Sequence, residues 1–400
     1  MEQAQKKLPI FILLFFFSFG NVLGIMYSAA LPDLATFFQI GKGFAQQTVI
    51  LFLVGYAIGQ LIYGPLSSAL GRKPAIYIGC VGAFLGTLLC ILGIKLESFS
   101  LLLGGRFLTA LGSSCGLCMT FMMMQDVFSP LEAKKKISIL VGAFACFPAV
   151  GIYIGGVLTE HFSWEYCFYF MLLYSLAILI LCSFLPETLK EKDIRHIHPI
   201  RILKTYFSQV NHYVFLFCSI ILGIAGGIVY IFAIEAPYIA INQLQITPDL
   251  FGMLNLIPFF GLFLGGFFSS YISGKFSSRT LILMGALLFS LGSFLMLICF
   301  QFGFVNINTL FVLPMLIFFS FPVLFSSTSL LGISVSSNKS YASSLINCIQ
   351  AVIAVSVMEL ITIFPSEKAT ALPIVYSIIG VVLLCLWGIL KVLPIGEKKA

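Results

Sequence analysis

Residues 59–74 read Gly59-Gln60-Leu61-Ile62-Tyr63-Gly64-Pro65-Leu66-Ser67-Ser68-Ala69-Leu70-Gly71-Arg72-Lys73-Pro74. One apolar run, 45–66, ends inside this stretch, and a second, 74–94, begins where it stops. Gly71 permits a tight reversal. Arg72 and Lys73 place two positive charges at the turn, where water and headgroups solvate them. Each flanking run is about 20 residues long, enough to cross a hydrocarbon layer as a helix. The stretch therefore reads as the short loop of a transmembrane helical hairpin.

The rest of the chain repeats that pattern. Of its 400 residues 60% are apolar and 9% charged, and the mean hydropathy is +1.08. A soluble domain carries about 25% charged residues, so this chain needs lipid to face. Twelve apolar runs qualify as spans: 8–31, 45–66, 74–94, 99–125, 137–159, 165–185, 212–234, 250–272, 280–300, 309–332, 341–363 and 371–393. Barrel strands would be shorter and would alternate in polarity, so helices are expected. The run after Lys6 and Lys7 is too long for a cleaved leader and reads as the first span.

With the N-terminus cytoplasmic, nearly all of the 22 basic residues fall in cytoplasmic gaps. Lys42, Lys95 and Lys368 lie in the opposite gaps, and Arg106 lies within a span. This asymmetry predicts a multi-pass protein of a bacterial inner membrane with both termini cytoplasmic. It also explains the net charge of +7 without a nucleic-acid partner. The longest gap divides the chain into an N-terminal six-helix bundle (1–189), a cytoplasmic linker (190–211) and a C-terminal six-helix bundle (212–400). Ser67-Ser68 with Gly71-Arg72-Lys73 is echoed by Ser269-Ser270 with Gly274-Lys275, as two pseudo-symmetric halves of a carrier would require. The expected class is thus an all-α membrane protein with twelve transmembrane helices.

Eleven cysteines show no paired framework, and most lie inside apolar runs as small hydrophobes. Cys115 and Cys118 form a CxxC, but no second ligand pair lies nearby. His196 and His198 read as solvated loop residues. Neither a metal nor a cofactor is expected.

Arg106 is the boldest residue. If the fourth span starts near Ser100, Arg106 lies about 9 Å from its outer boundary. A charge there either faces a cavity or partner, or snorkels outward. Asp126 is twenty residues further, about 30 Å away, and cannot pair with it. Asp33, Glu235 and Glu359 fall toward the outer ends of spans one, seven and eleven. Each could carry a proton or be an exposed span-end acid, with Glu359 expected deepest. Pro148 bends the fifth span, and Gly151, Gly155 and Gly156 give it a smooth face for close helix contact. Asn21, Tyr27, Tyr56, Gln60, Arg106, Tyr230, Asn347 and Gln350 are the candidate polar groups of a substrate cavity, with Asn255 a further polar residue inside a span. Met122, Met123, Met124 and the 42 Phe residues would serve as adaptable walls or as lipid-facing filler.

The stretch from Gly59 to Pro74 closely resembles the signature between spans two and three of the major facilitator superfamily. Val54-Gly55-Tyr56-Ala57-Ile58-Gly59-Gln60 resembles the bicyclomycin-resistance (Bcr/CflA) branch of its twelve-span drug:proton antiporters. Gly105-Arg106-Phe107-Leu108 with Ala110-Leu111-Gly112 is similar to the fourth-span motif. Pro148, Gly151, Gly155 and Gly156 are similar to the fifth-span antiporter motif. Leu185-Pro186-Glu187-Thr188-Leu189 resembles the exit from span six, and Ala236-Pro237-Tyr238 with Leu250-Phe251-Gly252 resembles the passage from span seven into span eight. The resemblance implies that Arg106 serves proton or substrate coupling. It also implies that Gly64, Arg72 and Asp126 form a gate, with an Arg72–Asp126 pair joining spans two and four; a solvated helix-end carboxylate is the alternative for Asp126. Two positions depart from the pattern: Ser68 and Ile25 stand where relatives carry Asp, and the latter is a favoured proton carrier.

The leading expectation is export of an amphipathic small molecule by alternating access, with protons as counter-ion, by a monomer in the bilayer. Dedicated export of a siderophore or other metabolite, nutrient import with different coupling, and a non-transporting sensor remain open. No nucleotide-binding loop and no catalytic constellation is present, so an enzyme is not expected.

Overall fold

The computed structural model describes residues 8–128, 132, 146–189, 212–335, 339–362 and 369–393. The linker 190–211, with His196 and His198, lies outside the described residues. So do the first part of the expected fifth span (137–145), the loop lysines 134–136, and Lys6, Lys7, Lys368, Lys398 and Lys399.

Among the described residues every regular element is a helix. They are α1 (Ile10–Ile25), α2 (Leu31–Phe37), α3 (Lys42–Leu70), α4 (Arg72–Lys95), α5 (Phe99–Ser113), α6 (Cys115–Val127), α7 (Cys146–His161), α8 (Tyr166–Cys182), α9 (Tyr213–Pro237), α10 (Pro248–Leu254), α11 (Leu256–Ile272), α12 (Ser278–Gln301), α13 (Ile307–Ser334), α14 (Lys339–Thr362) and α15 (Ala371–Val392). Nine stretches in the described residues are long and apolar enough to cross a membrane; Tyr166–Cys182 and Leu345–Glu359 are shorter apolar helices. Each of the twelve apolar runs carries one of these helices or, where it is broken, two. The longest unbroken one, α3, has 29 residues and spans about 43 Å, more than the roughly 30 Å of a hydrocarbon core.

The breaks have chemical causes. The first span stops at Ile25, passes through a 3₁₀ turn at Ser28–Ala30 and restarts as α2 with Pro32 in its first turn. It thus runs to Phe37, beyond the expected end at residue 31, with Pro32 in the first turn of α2, where its missing N–H forfeits no helical hydrogen bond. The eighth span breaks between α10 and α11 at Asn255, three residues before Pro258, whose missing N–H cannot serve the Leu254 carbonyl. A π-helical turn, Tyr238–Gln243, follows Pro237 at the end of α9. At Gly71 φ is 108°, a conformation costly for any residue with a Cβ, so the hairpin turn requires glycine there.

By its contacts the chain forms two compact units: residues 1–202 with 237–256, and residues 203–236 with 257–400. In the first, α4 and α5 are the most intimate pair. A Cβ at Gly93 would lie 2.6 Å from the Leu102 amide nitrogen, and one at Gly105 the same distance from that of Cys90. In the second unit α12 packs on α13 and α15, and a Cβ at Gly380 would meet the Ser290 hydroxyl at 2.8 Å. Without a hydrophobic drive between helices in lipid, such small-residue contacts supply the attraction.

Candidate functional site

Arg106 on α5 is 1% exposed, so it does not snorkel outward. Its Nη1 donates to the Leu23 carbonyl at 2.7 Å, its Nη2 to that of Gly24 at 2.9 Å, and its Nε to that of Thr48 at 3.2 Å. Leu23 and Gly24 are the last-turn carbonyls of α1, left without helical donors because the helix stops at Ile25. The guanidinium therefore caps a helix C-terminus, where the dipole favours a cation. The Tyr27 and Phe52 rings flank it, 4.6 and 4.3 Å from Cζ to the centroids. Tyr27 in turn donates to the Thr48 hydroxyl at 2.7 Å, which donates to the Ala45 carbonyl at 2.6 Å. Among the described residues no carboxylate pairs with Arg106; Ile25, one position beyond the carbonyls it binds, is itself buried.

The other expected first-unit residues lie around this core. Tyr56 stacks on Phe52 with centroids 6.3 Å apart, and its ring abuts Gly20. Asn21 is half-buried in α1. Gln60 is 3% exposed, and its Oε1 has no hydrogen-bond partner among the described residues. Asp33 is exposed on α2.

A second cluster joins the ends of α3, α4, α6 and α8. Arg72 Nε and Asp126 Oδ2 are 3.0 Å apart, and Nη2 approaches Oδ1 at 3.4 Å. Asp126 is thus ion-paired rather than a solvated helix-end acid. Arg72 Nη1 also donates to Ser67 Oγ at 2.9 Å, and the Thr188 hydroxyl donates to Asp126 at 2.9 Å. Glu187 accepts from the backbone amides of Arg72 (3.0 Å), Lys73 (3.1 Å) and Leu189 (2.9 Å), placing its carboxylate at the N-terminus of α4. Lys73 Nζ donates to the Ser183 carbonyl at 2.8 Å, tying α4 to the end of α8. Burial alone would raise the Glu187 carboxyl, but the amides of Leu189, Arg72, Lys73 and Thr188 outweigh it and hold it below its ordinary value. Gly64 sits one turn before Ser67 and Ser68, and its carbonyl accepts from both hydroxyls.

The third feature is α7. Pro148, Gly151, Gly155 and Gly156 are all buried. A Cβ at Gly151 would touch Met26 at 3.4 Å, and one at Gly155 would overlap the Met26 carbonyl. One at Gly156 would overlap the Pro248 carbonyl, and from the other side a Cβ at Gly252 of α10 would lie 3.0 Å from the Ile152 carbonyl oxygen. The glycine face thus holds the break of the first span on one side and α10 on the other.

In the second unit Gln350 of α14 packs on Gly226 of α9, where a Cβ would lie 2.8 Å from its Nε2. Tyr230 and Asn347 are half-buried on the same two helices. Glu235 is 1% exposed, whereas Glu359 is only half-buried, with Thr362 donating to its Oε2 at 3.4 Å. Glu235 is thus the more buried of the two, inside the packed end of α9, while Glu359 lies near the end of α14. Sequence reasoning assigned no role to Thr48, Phe52, Glu187 or Thr188. Glu187 and Thr188 left a signal, as part of the 185–189 stretch just beyond a span, whereas Thr48 and Phe52 left none.

Comparison with known proteins agrees with this architecture. Residues 10–358 match the Major Facilitator Superfamily. An uncharacterized transporter of Rickettsia bellii is 30% identical over 67% of this chain, and the chain spans 66% of that relative's length. Multidrug resistance protein D of Escherichia coli is 25% identical over 81% of this chain and 80% of its own. A bicyclomycin resistance protein homolog of Haemophilus influenzae is 29% identical over 47% of this chain and 48% of its own. Among solved structures a D-xylose-proton symporter superposes with a TM-score of 0.76 at 15% identity, covering 94% of this chain and 96% of that one. That likeness speaks to the fold alone. The chain belongs to the Major Facilitator Superfamily, a family of membrane transporters and not of enzymes.

Proposed function

We propose that the chain exports an amphipathic small molecule across a bacterial inner membrane in exchange for protons, as a monomer with both termini cytoplasmic. Its similarity to multidrug resistance protein D over most of both chains carries this reading. Residues 1–189 and 212–400 act as two six-helix bundles joined by the linker 190–211. Tyr27, Tyr56, Asn21 and Gln60 contribute to the cavity from the first bundle, and Tyr230, Asn347 and Gln350 from the second. Arg106 fixes the bend of the first span rather than exchanging a proton with a carboxylate. Glu235 carries the proton, because it is the most buried of the three candidate acids. The Arg72–Asp126 pair acts as a gate that holds α3, α4 and α6 together on the cytoplasmic side.

Inverted vesicles offered a panel of labelled drugs should accumulate at least one when a pH gradient is imposed. Accumulation that survives collapse of the gradient would instead favour an uncoupled facilitator. That second reading draws support from Ile25 and Ser68 and from the lack, among the described residues, of a carboxylate partner for Arg106.

A further inference from the structure

On the α10 side of the glycine face the contact is close from both helices. Backbone meets backbone at Gly156 and Gly252, and both helices belong to the first compact unit. Contacts this close leave no room for water or for adjustment, so the seam is either shut or parted. One turn beyond Gly252, on the same face of the helix, stands Asn255. It is 1% exposed, and neither its Oδ1 nor its Nδ2 has a hydrogen-bond partner among the described residues. A side-chain amide offers two donors and an acceptor, and burying them unpaired is one of the costlier features a packed interior tolerates. The helix is interrupted at this same residue, and Pro258 weakens its continuation on the far side.

We propose that Asn255 is a built-in penalty on the closed seam: its amide is unpaired while α7 and α10 are packed and gains water once they part. The glycines favour closure through close packing, and Asn255 opposes it through desolvation. Two opposing contributions of similar size keep a two-state contact near balance, and a carrier that must open and shut this face needs that balance. The location at a helix break fits the role, because α10 can move with α11 held in place. The inference uses the carrier reading only in taking the seam to open.

The test needs neither substrate nor gradient, so its outcome is separate from that reading. The full chain is placed in lipid nanodiscs of phosphatidylethanolamine and phosphatidylglycerol, and hydrogen exchange is followed by mass spectrometry. Asn255→Leu, similar in size but without the amide, should slow exchange in peptides covering 148–158 and 248–256 by roughly tenfold. Peptides within 80–93 should not change. Asn255→Ala should act in the same direction, and it serves as the readout if the leucine variant does not assemble. Unchanged or faster seam exchange in the variants that assemble would overturn the proposal. So would slowing of equal size in 80–93, which would mark general stabilisation rather than a local balance.

Discussion

The two units fasten their helix ends with the same kind of residue but different partners. In the first, Arg72 and Lys73 at the start of α4 reach Asp126, Glu187 and the Ser183 carbonyl at the end of α8. In the second, Arg279 at the start of α12 reaches the Lys391 carbonyl at 3.3 Å and the Leu393 carbonyl at 2.6 Å, at the end of α15. Trp387 closes that contact by donating Nε1 to the Arg279 carbonyl at 2.9 Å. The geometry repeats, with a basic helix start holding the C-terminus of a later helix of the same unit. The carboxylates do not repeat. The first fastening therefore responds to acid, whereas the second rests on helix-end carbonyls and an indole and does not; salt screens the charge in both. Arg106 shows that the carbonyl solution also works deep inside the first unit.

The largest effect is expected at Arg106. Arg106→Ala should remove transport and destabilise the first unit by about 3 kcal/mol, since three buried carbonyls lose a charged donor. Thermal unfolding and vesicle uptake would measure this, with membrane insertion intact. Full activity would mean that the break of the first span needs no cap.

Next come the two fastenings. Arg72→Ala should cost about 2 kcal/mol because it leaves Asp126 partly buried and unpaired. Arg279→Ala should cost about 1 kcal/mol, because only helix-end carbonyls lose a donor. Equal losses in thermal unfolding would erase the distinction between the units.

The smallest effect is a pH response. Glu187 has a lowered folded value, so its contribution is complete above the ordinary carboxylate value of about 4.3 and fades as the pH falls through the folded value. Exchange in peptides covering 183–189 should therefore accelerate more at acid pH in the native chain than in Glu187→Gln, beyond the intrinsic pH effect. In a Trp164→Phe background Trp387 is the single indole, and its emission should stay constant over the same range. A parallel change in both would show that carbonyl fastening is also acid-sensitive.

The spans were legible in the sequence because hydropathy and charge are local properties, and lipid demands long apolar helices wherever the chain crosses. The Arg72–Asp126 pair was suggested by the family resemblance, while position alone left Asp126 equally readable as a solvated helix-end acid. The breaks at Met26–Ala30 and Asn255 were harder. Pro32 and Pro258 mark them, but proline within an apolar run signals only that a helix is disturbed, not whether it stops. The partners of Arg106 were illegible for a deeper reason. They are backbone carbonyls, which every residue has, and only the end of α1 frees those of Leu23 and Gly24. Likewise Glu235 and Glu359 look alike as span-end acids, and their burial differs only through the helices packed around them.

Tyr238 carries one more consequence. Its hydroxyl donates to the Leu31 carbonyl at 3.2 Å, and its ring lies 5.3 Å below the Lys42 ammonium. With α10, it places residues 237–256 in a unit otherwise made of residues 1–202. During synthesis, the glycine face of α7 must wait in the bilayer until more than 80 further residues have been made and α10 arrives to cover it. A nascent chain arrested before that point carries an unfilled groove, and membrane quality-control proteases would recognise it as unfinished.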